Sequence, residues 1–256
     1  FAMSSSHTKN RICETKRGSL ALSLGSSLLT TLFLSGIATG ATTLAETAST
    51  TGRIEGLVRY TADPDKPWRF SRYYVKDTKS GFLAEAVVAL EGPGLSTTDT
   101  DRQPQTVTVN QVDFQFVPET VAVRVGDNIR FTNNDETVHN VMTSDGPKPF
   151  NVNMAKDGEY VHHIESAGGI QEPLRLGCVY HGGMRAWLFS FDHPWFQATS
   201  RDGRFAWNNV PTGRWTLRLI HPAGRLEWSQ EVEVKAGETN KLEISISPDN
   251  IKTTKR

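Results

Sequence analysis

Cysteine is scarce in this chain of 256 residues, which contains only Cys13 and Cys178. Cys13 lies in an N-terminal stretch with the features of a secretory signal peptide, so we expect the exported protein to keep Cys178 alone. A single cysteine excludes a disulfide within the mature chain. Three interpretations are left for Cys178: a buried inert thiol, a reactive nucleophile or a metal ligand.

The N-terminal stretch lacks the long uninterrupted apolar run of a membrane span. Four basic residues between positions 9 and 17 precede an apolar segment, Leu20 to Ile37, that is diluted by Ser, Thr and Gly. Small residues follow, with candidate cleavage sites after Ala38 and Ala45. We therefore assign residues 1–45 to a signal peptide, with a retained N-terminal anchor as the alternative. The prediction is an exported protein, periplasmic or otherwise extracytoplasmic, with no integral membrane span in the mature chain.

An excess of charge of either sign is also missing. The sequence has 28 basic and 28 acidic residues. Removal of residues 1–45 would take away four basic residues and Glu14, which leaves 24 basic and 27 acidic side chains and a net charge of about −3. This balance gives no electrostatic footprint for nucleic acid and no basic run for an anionic surface. We therefore expect no nucleic-acid partner.

Helical periodicity is absent after residue 50, where no stretch keeps an apolar period of 3.6 residues over three turns. Apolar residues instead alternate with polar ones or form short runs, and Gly- and Pro-containing turn signals separate them. The clearest runs are 53–60, 83–90, 121–125, 129–132, 217–219, 232–234 and 242–246. We predict an all-β fold made of two β-sandwiches.

The chain does contain a compact set of metal-binding residue types. Cys178, His181 and Met184 follow one another within seven residues, and His139 comes after a β-patterned run about forty residues upstream. Two imidazoles, one thiolate and one thioether are the ligand set of a mononuclear type-1 copper electron-transfer site. We therefore predict that these four residues are the metal ligands, with one copper ion per chain.

The same residues fit other metal and thiol chemistry less well. A dinuclear purple copper centre needs two cysteines in its loop, and haem attachment needs Cys-x-x-Cys-His. Structural zinc would use more Cys or His and would not recruit Met. A Cys-His hydrolase would need an orienting group and an oxyanion hole that the sequence does not reveal. His162 and His163 could form an accessory metal site, but we interpret them as an exposed strand pair, and His193 as structural.

The segment 104–192 resembles the cupredoxin (type-1 blue copper) family. The Val121–Val125 run, the Gly126-Asp127 turn and the stretch from Ile129 to His139 match the family's approach to its first histidine ligand. The Cys-x2-His-x2-Met spacing matches the family's shortest ligand loops, those of the amicyanin type. The resemblance implies a Greek-key β-sandwich over residues 101–194. It also implies that Asn140 helps to tie the two ligand-bearing loops together.

Residues 199–219 resemble the later strands of carboxypeptidase regulatory-like, transthyretin-type domains. A pattern of the kind T-x-x-D-G-x-F…P-x-G-x-[YW]-x-L occurs in that family and in this segment. The family's opening strands would be Gly52–Tyr60 and Ala86–Leu90, roughly a hundred residues upstream. The resemblance implies a second, smaller sandwich that is discontinuous, over 52–100 and 195–248. The alternative is an N-terminal extension, a central domain and a separate C-terminal sandwich.

The ligand set and the cupredoxin resemblance together predict an exported electron-transfer protein that is not an enzyme by itself. Protein redox partners would approach the ring edge of His181, because Gly182 and Gly183 leave room beside it. Multicopper oxidases and copper nitrite reductases reach a second site through a His next to the Cys, and Cys178 has no such neighbour. Two alternatives stay open: a copper-delivery module, and an extracytoplasmic interaction module with a vestigial or incidental redox site.

Overall fold

The computed structural model describes residues 50–61, 65, 75, 79–97 and 101–251. These residues form sixteen β-strands and one short 3-10 helix, with no α-helix among them, so the all-β prediction is confirmed. Within this part of the chain, no helix combines the length and the apolar character that crossing a membrane requires. The predicted signal peptide, residues 1–45, lies outside the described residues.

The strands are numbered in the order in which they follow one another along the chain. Their bounds are β1 Thr51–Tyr60, β2 Val87–Glu91, β3 Thr106–Val112, β4 Gln115–Val117, β5 Thr120–Arg124, β6 Asn128–Asn133, β7 His139–Thr143, β8 Phe150–Met154, β9 Glu159–His163, β10 Gly169–Gly177, β11 Arg185–Phe191, β12 Phe196–Ala198, β13 Arg204–Pro211, β14 Gly213–His221, β15 Leu226–Val234 and β16 Thr239–Ile246. The 3-10 helix Pro248–Asn250 follows β16.

Two sheets build what we call the flanking sandwich, with strand orders β13-β1-β16 and β12-β2-β14-β15. Strand β1 pairs antiparallel with β13 and parallel with β16, and β2 lies between β12 and β14. Buried side chains from these strands, such as Ile54, Leu90 and Leu217, form one hydrophobic core. Strands from the start of the described chain therefore pair with strands from its end. The domain boundaries 52–100 and 195–248 stay a prediction.

Two further sheets build the central sandwich, with strand orders β4-β3-β6-β9 and β5-β11-β10-β7-β8. Its core includes Val109, Phe131, Val141 and Leu188. In the five-stranded sheet, β11 lies between β5 and β10, and β10 also reaches β7 where Gly177 pairs with Met142. The ends of β10 and β7 therefore lie side by side, which brings the residues that follow β10 next to those that begin β7.

The two sandwiches contact each other through a third apolar cluster. In β2, residues 88 and 90 belong to the flanking core, whereas residues 87 and 89 belong to this cluster. In β11, residues 186 and 188 belong to the central core, whereas Phe189 and Phe191 join the cluster together with Ile170 and Ile220. Since successive side chains of a strand point to opposite faces, β2 and β11 are buried on both faces.

The first part of one predicted strand is irregular. The run 83–90 was expected to be a single strand, but β2 begins at Val87. Glu85 has a φ of 57°, which removes it from extended geometry. The Thr199 hydroxyl donates to the carbonyl of Leu83 (2.7 Å) and accepts from the amide of Ala86 (3.0 Å). Two backbone groups just before β2, the Leu83 carbonyl and the Ala86 amide, are thus satisfied by one side chain.

Candidate metal centre

Three of the four predicted ligands bring donor atoms together in the central sandwich. His139, Cys178 and His181 each place one possible ligand atom so that all three atoms lie within 4.8 Å of one another. The Nδ1 atoms of the two histidines are 3.1 Å apart, and Cys178 Sγ lies 3.6 Å from His181 Nδ1. No other such group of three His, Cys, Asp or Glu residues occurs in the part of the chain that the structure describes.

The strand order of the five-stranded sheet explains the convergence. His139 is the first residue of β7, and Cys178 directly follows β10, the strand beside it. The next residues turn back at once, because the amide of Met184 donates to the carbonyl of His181 at 2.9 Å and β11 begins at residue 185. A connection this short fixes Cys178 and His181 relative to the sheet that also carries His139.

His139 is oriented by a carboxylate. Its side chain is fully buried, and its Nε2 lies 2.6 Å from Asp135 Oδ2. A neutral His139 that donates from Nε2 keeps a lone pair on Nδ1, the atom that faces His181. Donation of the remote ring N–H to a carboxylate is the usual way in which proteins fix the tautomer and ring direction of a metal-binding histidine.

Asp135 is itself held as a carboxylate. Burial alone would raise its pKa, but hydrogen bonds from the amide of Phe114, from the His139 ring and from the amide of Asp113 outweigh this effect. The net result is a pKa of Asp135 below its ordinary value. The residue therefore stays negatively charged beside His139 under ordinary conditions.

Cys178 is a buried free thiol, and its sulfur accepts a hydrogen bond from the neighbouring strand β7. The backbone amide of Asn140 donates to Cys178 Sγ at 3.3 Å, and the Asn140 side-chain carbonyl accepts from the amide of Val179 at 3.4 Å. The Asn140 amide group donates to Asn151 and Asn153, at 2.6 and 2.9 Å. Asn140 thus connects β7, the strand β8 and the loop after β10, the bridging position expected from the cupredoxin resemblance.

Met184 and the two glycines complete the loop. Met184 is buried in the same hydrophobic core as Cys178. A Cβ added at Gly182 or Gly183 would meet no atom within 4 Å, and neither glycine has a positive φ. Glycine is therefore not needed there for backbone geometry or for space inside the protein. Both positions border open space, and the approach of a partner to His181 across them stays a prediction.

Sequence reasoning missed two residues at this site, Asp135 and Phe114. Phe114 lies at the tip of the β3–β4 hairpin, and its ring is edge-on to both histidines, with centroid distances of 5.3 Å to His139 and 4.9 Å to His181. The signal for Asp135 was its position four residues before His139. Nothing in the local pattern of Val112 to Gln115 indicates that the tip of this hairpin reaches the metal-ligand residues.

The other candidate histidines lie elsewhere. His162 and His163 are on β9, where burial lowers the pKa of His162 and Asn128 lies 3.1 Å from the His163 ring. His193 is buried near the contact between the sandwiches, and burial lowers its pKa as well. Its Nδ1 accepts a hydrogen bond from the amide of Trp195. None of these three residues contributes to the group around Cys178.

Comparison with known families agrees with copper chemistry at this place. Residues 104–176 match the model of the copper binding proteins of the plastocyanin/azurin family, which supports a cupredoxin domain in the central sandwich. The matched segment contains His139 and ends two residues before Cys178. Identification of the loop ligands therefore depends on the loop itself. None of the curated proteins matches the chain.

Solved structures of amicyanin are similar to part of the chain. One, the Cu(I) form of an amicyanin variant, is 18% identical, covers 41% of this chain and 98% of its own, and gives a TM-score of 0.31. Another, amicyanin from Paracoccus versutus (Thiobacillus versutus), is 19% identical, covers 41% and 97% of the two chains, and also gives a TM-score of 0.31.

Proposed function

We propose that this protein is an electron carrier that binds one copper ion in a type-1 site formed by His139, Cys178, His181 and Met184. The main supporting observation is that His139, Cys178 and His181 each place one possible ligand atom within 4.8 Å of the other two, in the central sandwich. Soft sulfur together with imidazole nitrogen is a donor set that suits copper in both of its common oxidation states. The match of residues 104–176 to a copper-binding family supports the same metal.

The chain's own contribution is a ligand set that is oriented in advance. The Asp135 carboxylate directs His139, and the Asn140 amide directs the sulfur of Cys178. Bound copper would supply a one-electron Cu(I)/Cu(II) couple. Ligands that are held by strand pairing and hydrogen bonds would move little between the two states, which favours fast electron transfer over chemistry on a substrate.

A face of exposed apolar side chains around the ligands would serve partner docking. The Phe114 ring contacts His139, and Val138 directly precedes His139 in the sequence. Val179 and Tyr180 lie between Cys178 and His181. Each of the four is about half exposed, between 47% and 54%. Exposed apolar groups gathered at one place mark an interaction surface. A redox protein seated there would reach the partly exposed ring of His181.

We propose that the protein acts as a carrier and is not an enzyme. Two of the surface cavities among the described residues, of about 350 and 820 Å³, have linings that contain none of the proposed ligands. We also propose that it is exported, to the periplasm or another extracytoplasmic space, because the order of residues 1–45 is that of a signal peptide. Fractionation of cells with an antibody against the chain would test this location.

The direct test of the site is the optical spectrum of the copper-loaded protein. A type-1 site gives an intense visible band from thiolate-to-copper charge transfer, and we expect it at one copper per chain. Cys178→Ser should abolish the band, while His162→Ala should leave it unchanged as a matched histidine control away from the site. A colourless copper-loaded protein, or a band that survives Cys178→Ser, would contradict the proposal.

Copper delivery is the second candidate, because a copper acceptor could also approach the site beside His181. The same open space at Gly182 and Gly183 that admits a redox partner would admit a copper acceptor. Repeated reduction and oxidation without loss of metal would support the carrier. Faster transfer of Cu(I) to an acceptor protein than to a small chelator of equal affinity would support delivery instead.

A further inference from the structure

The tip of the β3–β4 hairpin has an unusual backbone. Val112 pairs with Gln115, so Asp113 and Phe114 form a two-residue turn, and their φ angles are +53° and +59°. Turns of this kind need positive φ at both central positions, which Asn and Gly tolerate well. A bulky residue such as Phe is uncommon there and is kept only where its surroundings fix it.

One carboxylate fixes both residues of this turn. Asp135 Oδ1 accepts from the amide of Asp113 at 2.8 Å, and Asp135 Oδ2 accepts from the amide of Phe114 at 3.0 Å. The same Oδ2 lies 2.6 Å from His139 Nε2. Asp135 is therefore a junction at which the hairpin tip and one metal-ligand histidine are held by the same group.

The result of this junction is the position of the Phe114 ring. The ring stands nearly perpendicular to both imidazoles, at interplanar angles of 86° to His139 and 87° to His181. These are edge-to-face contacts of the favourable kind. The ring centroids of His139 and His181 are 4.9 Å apart, so the single ring of Phe114 contacts both proposed ligands. About half of the Phe114 surface stays exposed.

We infer that Phe114 is a cap that keeps water and small anions away from the two histidine ligands, and that Asp135 is the positioning residue that holds this cap. This inference rests on the proposed copper site. An apolar ring over two ligand imidazoles offers an incoming anion no hydrogen bond, and it occupies the space through which the anion would approach the ligand atoms.

Azide binding to the oxidised, copper-loaded protein tests the cap. Azide that reaches copper changes the visible spectrum, so a titration measures its affinity. We expect Phe114→Ala to bind azide at least about tenfold more tightly than the unmodified protein, a difference of about 1.4 kcal/mol. Phe114→Leu, which retains an apolar side chain and is the variant of choice if the alanine protein does not fold, should give a smaller increase.

Val161→Ala is the matched control for this experiment. Val161 is exposed to the same extent as Phe114, 50%, but it lies on β9, at the opposite edge of the same sheet from β4. Its removal should leave azide affinity unchanged. A Phe114→Ala protein that keeps the charge-transfer band and binds azide no better than Val161→Ala would overturn the cap. A missing band in the unmodified protein would instead overturn the copper site on which the cap depends.

The role of Asp135 is tested by combining substitutions. Asp135→Ala should also increase azide affinity, because it releases the hairpin tip. If Asp135 acts by holding Phe114, then adding Asp135→Ala to Phe114→Ala should increase the affinity by less than the product of the two single effects. Fully multiplicative effects would show that Asp135 influences azide access independently, and would overturn its assignment as the residue that positions the cap.

Discussion

The central and flanking sandwiches differ in what they bury. Of the twelve polar or charged residues that are buried among the described residues, nine lie between Gln111 and Ser190, in the central sandwich. The other three, His193, Thr199 and His221, lie later in the chain. In the central sandwich, buried Asn133, His139 and Asn140 hold loops and a thiol through named hydrogen bonds. The central sandwich is thus the part of the molecule in which buried hydrogen bonds fix the positions of particular loops and side chains.

The comparison predicts that the two sandwiches respond differently to substitution. In the flanking sandwich, the loss of a side chain should change stability but not the metal site. In the central sandwich, substitutions of buried polar residues close to the proposed ligands should change both. Four experiments test this difference, from the largest expected effect to the smallest.

The largest effect is expected from Leu217→Ala in the flanking core. Leu217 is fully buried, and we expect its truncation to lower the free energy of unfolding by about 2–5 kcal/mol because it leaves a cavity. Chemical denaturation of the metal-free protein measures this loss. The visible band of the copper-loaded protein should be unchanged. Leu188→Ala, in the core that contains Cys178, is the matched control, and a band altered only by Leu217→Ala would reverse the comparison.

Copper itself should stabilise the fold through the central sandwich. At a free copper concentration a hundred times its dissociation constant, we expect a gain of about 2.7 kcal/mol in the free energy of unfolding. Cys178→Ser should lose most of this gain, since it removes the thiolate ligand. Thermal unfolding of both proteins with and without copper measures the difference. An equal gain in Cys178→Ser would mean that copper binds elsewhere on the chain.

A smaller effect is expected from Asn133→Ala. The Asn133 side chain donates to the carbonyls of Thr137 and Met154 and accepts from the amide of Asp135. Its removal takes a hydrogen bond away from the buried Met154 carbonyl, from the Thr137 carbonyl and from the Asp135 amide, which we expect to cost about 1–3 kcal/mol of stability. Exposed Asn134 provides the control, because surface substitutions usually change stability by less than about 0.5 kcal/mol. Equal losses in the two variants would argue against a special role for buried amides here.

The smallest effect concerns a surface ion pair of the central sandwich. A hydrogen bond from Arg175 lowers the pKa of Asp145. Because the pKa is lower in the folded protein, the stabilisation is complete above the ordinary aspartate pKa and is lost as the pH falls through the folded value. Asp145→Asn should therefore cost less than about 1 kcal/mol at neutral pH. The difference from the unmodified protein should shrink in acid, as unfolding curves at several pH values would show, and Arg175→Ala should behave alike.

The convergence of His139, Cys178 and His181 could be predicted because residue types and their spacing indicate the chemistry. Cys178, His181 and Met184 share one short loop, and a short loop between adjacent strands leaves few geometries. Most strands could also be predicted, since alternation and turn residues are local signals. The strand β2 was predicted to start four residues early, because its irregular entry depends on Thr199, which is 113 residues away from Ala86.

The supporting residues could not be predicted from local patterns. Asp113-Phe114 lacks the Asn-Gly or Asp-Gly signature of a two-residue hairpin turn, because Asp135 supplies the stabilisation that glycine would otherwise provide. The parallel pairing of β1 with β16 joins residues nearly two hundred positions apart. Such pairings depend on how sheets assemble, and no period within either strand encodes them.

The apolar cluster between β2 and β11 has a consequence for how this protein can change over generations. If residues 101–194 were cut out, Ile170, Phe189 and Phe191 would face water, and an exposed patch of this kind favours aggregation. In the flanking sandwich, Val87 and Ala89 would likewise lose the side chains that cover them. Neither sandwich could be transferred to another protein without exposing apolar side chains. A recombination that replaces one sandwich must therefore preserve the surface with which that sandwich contacts the other.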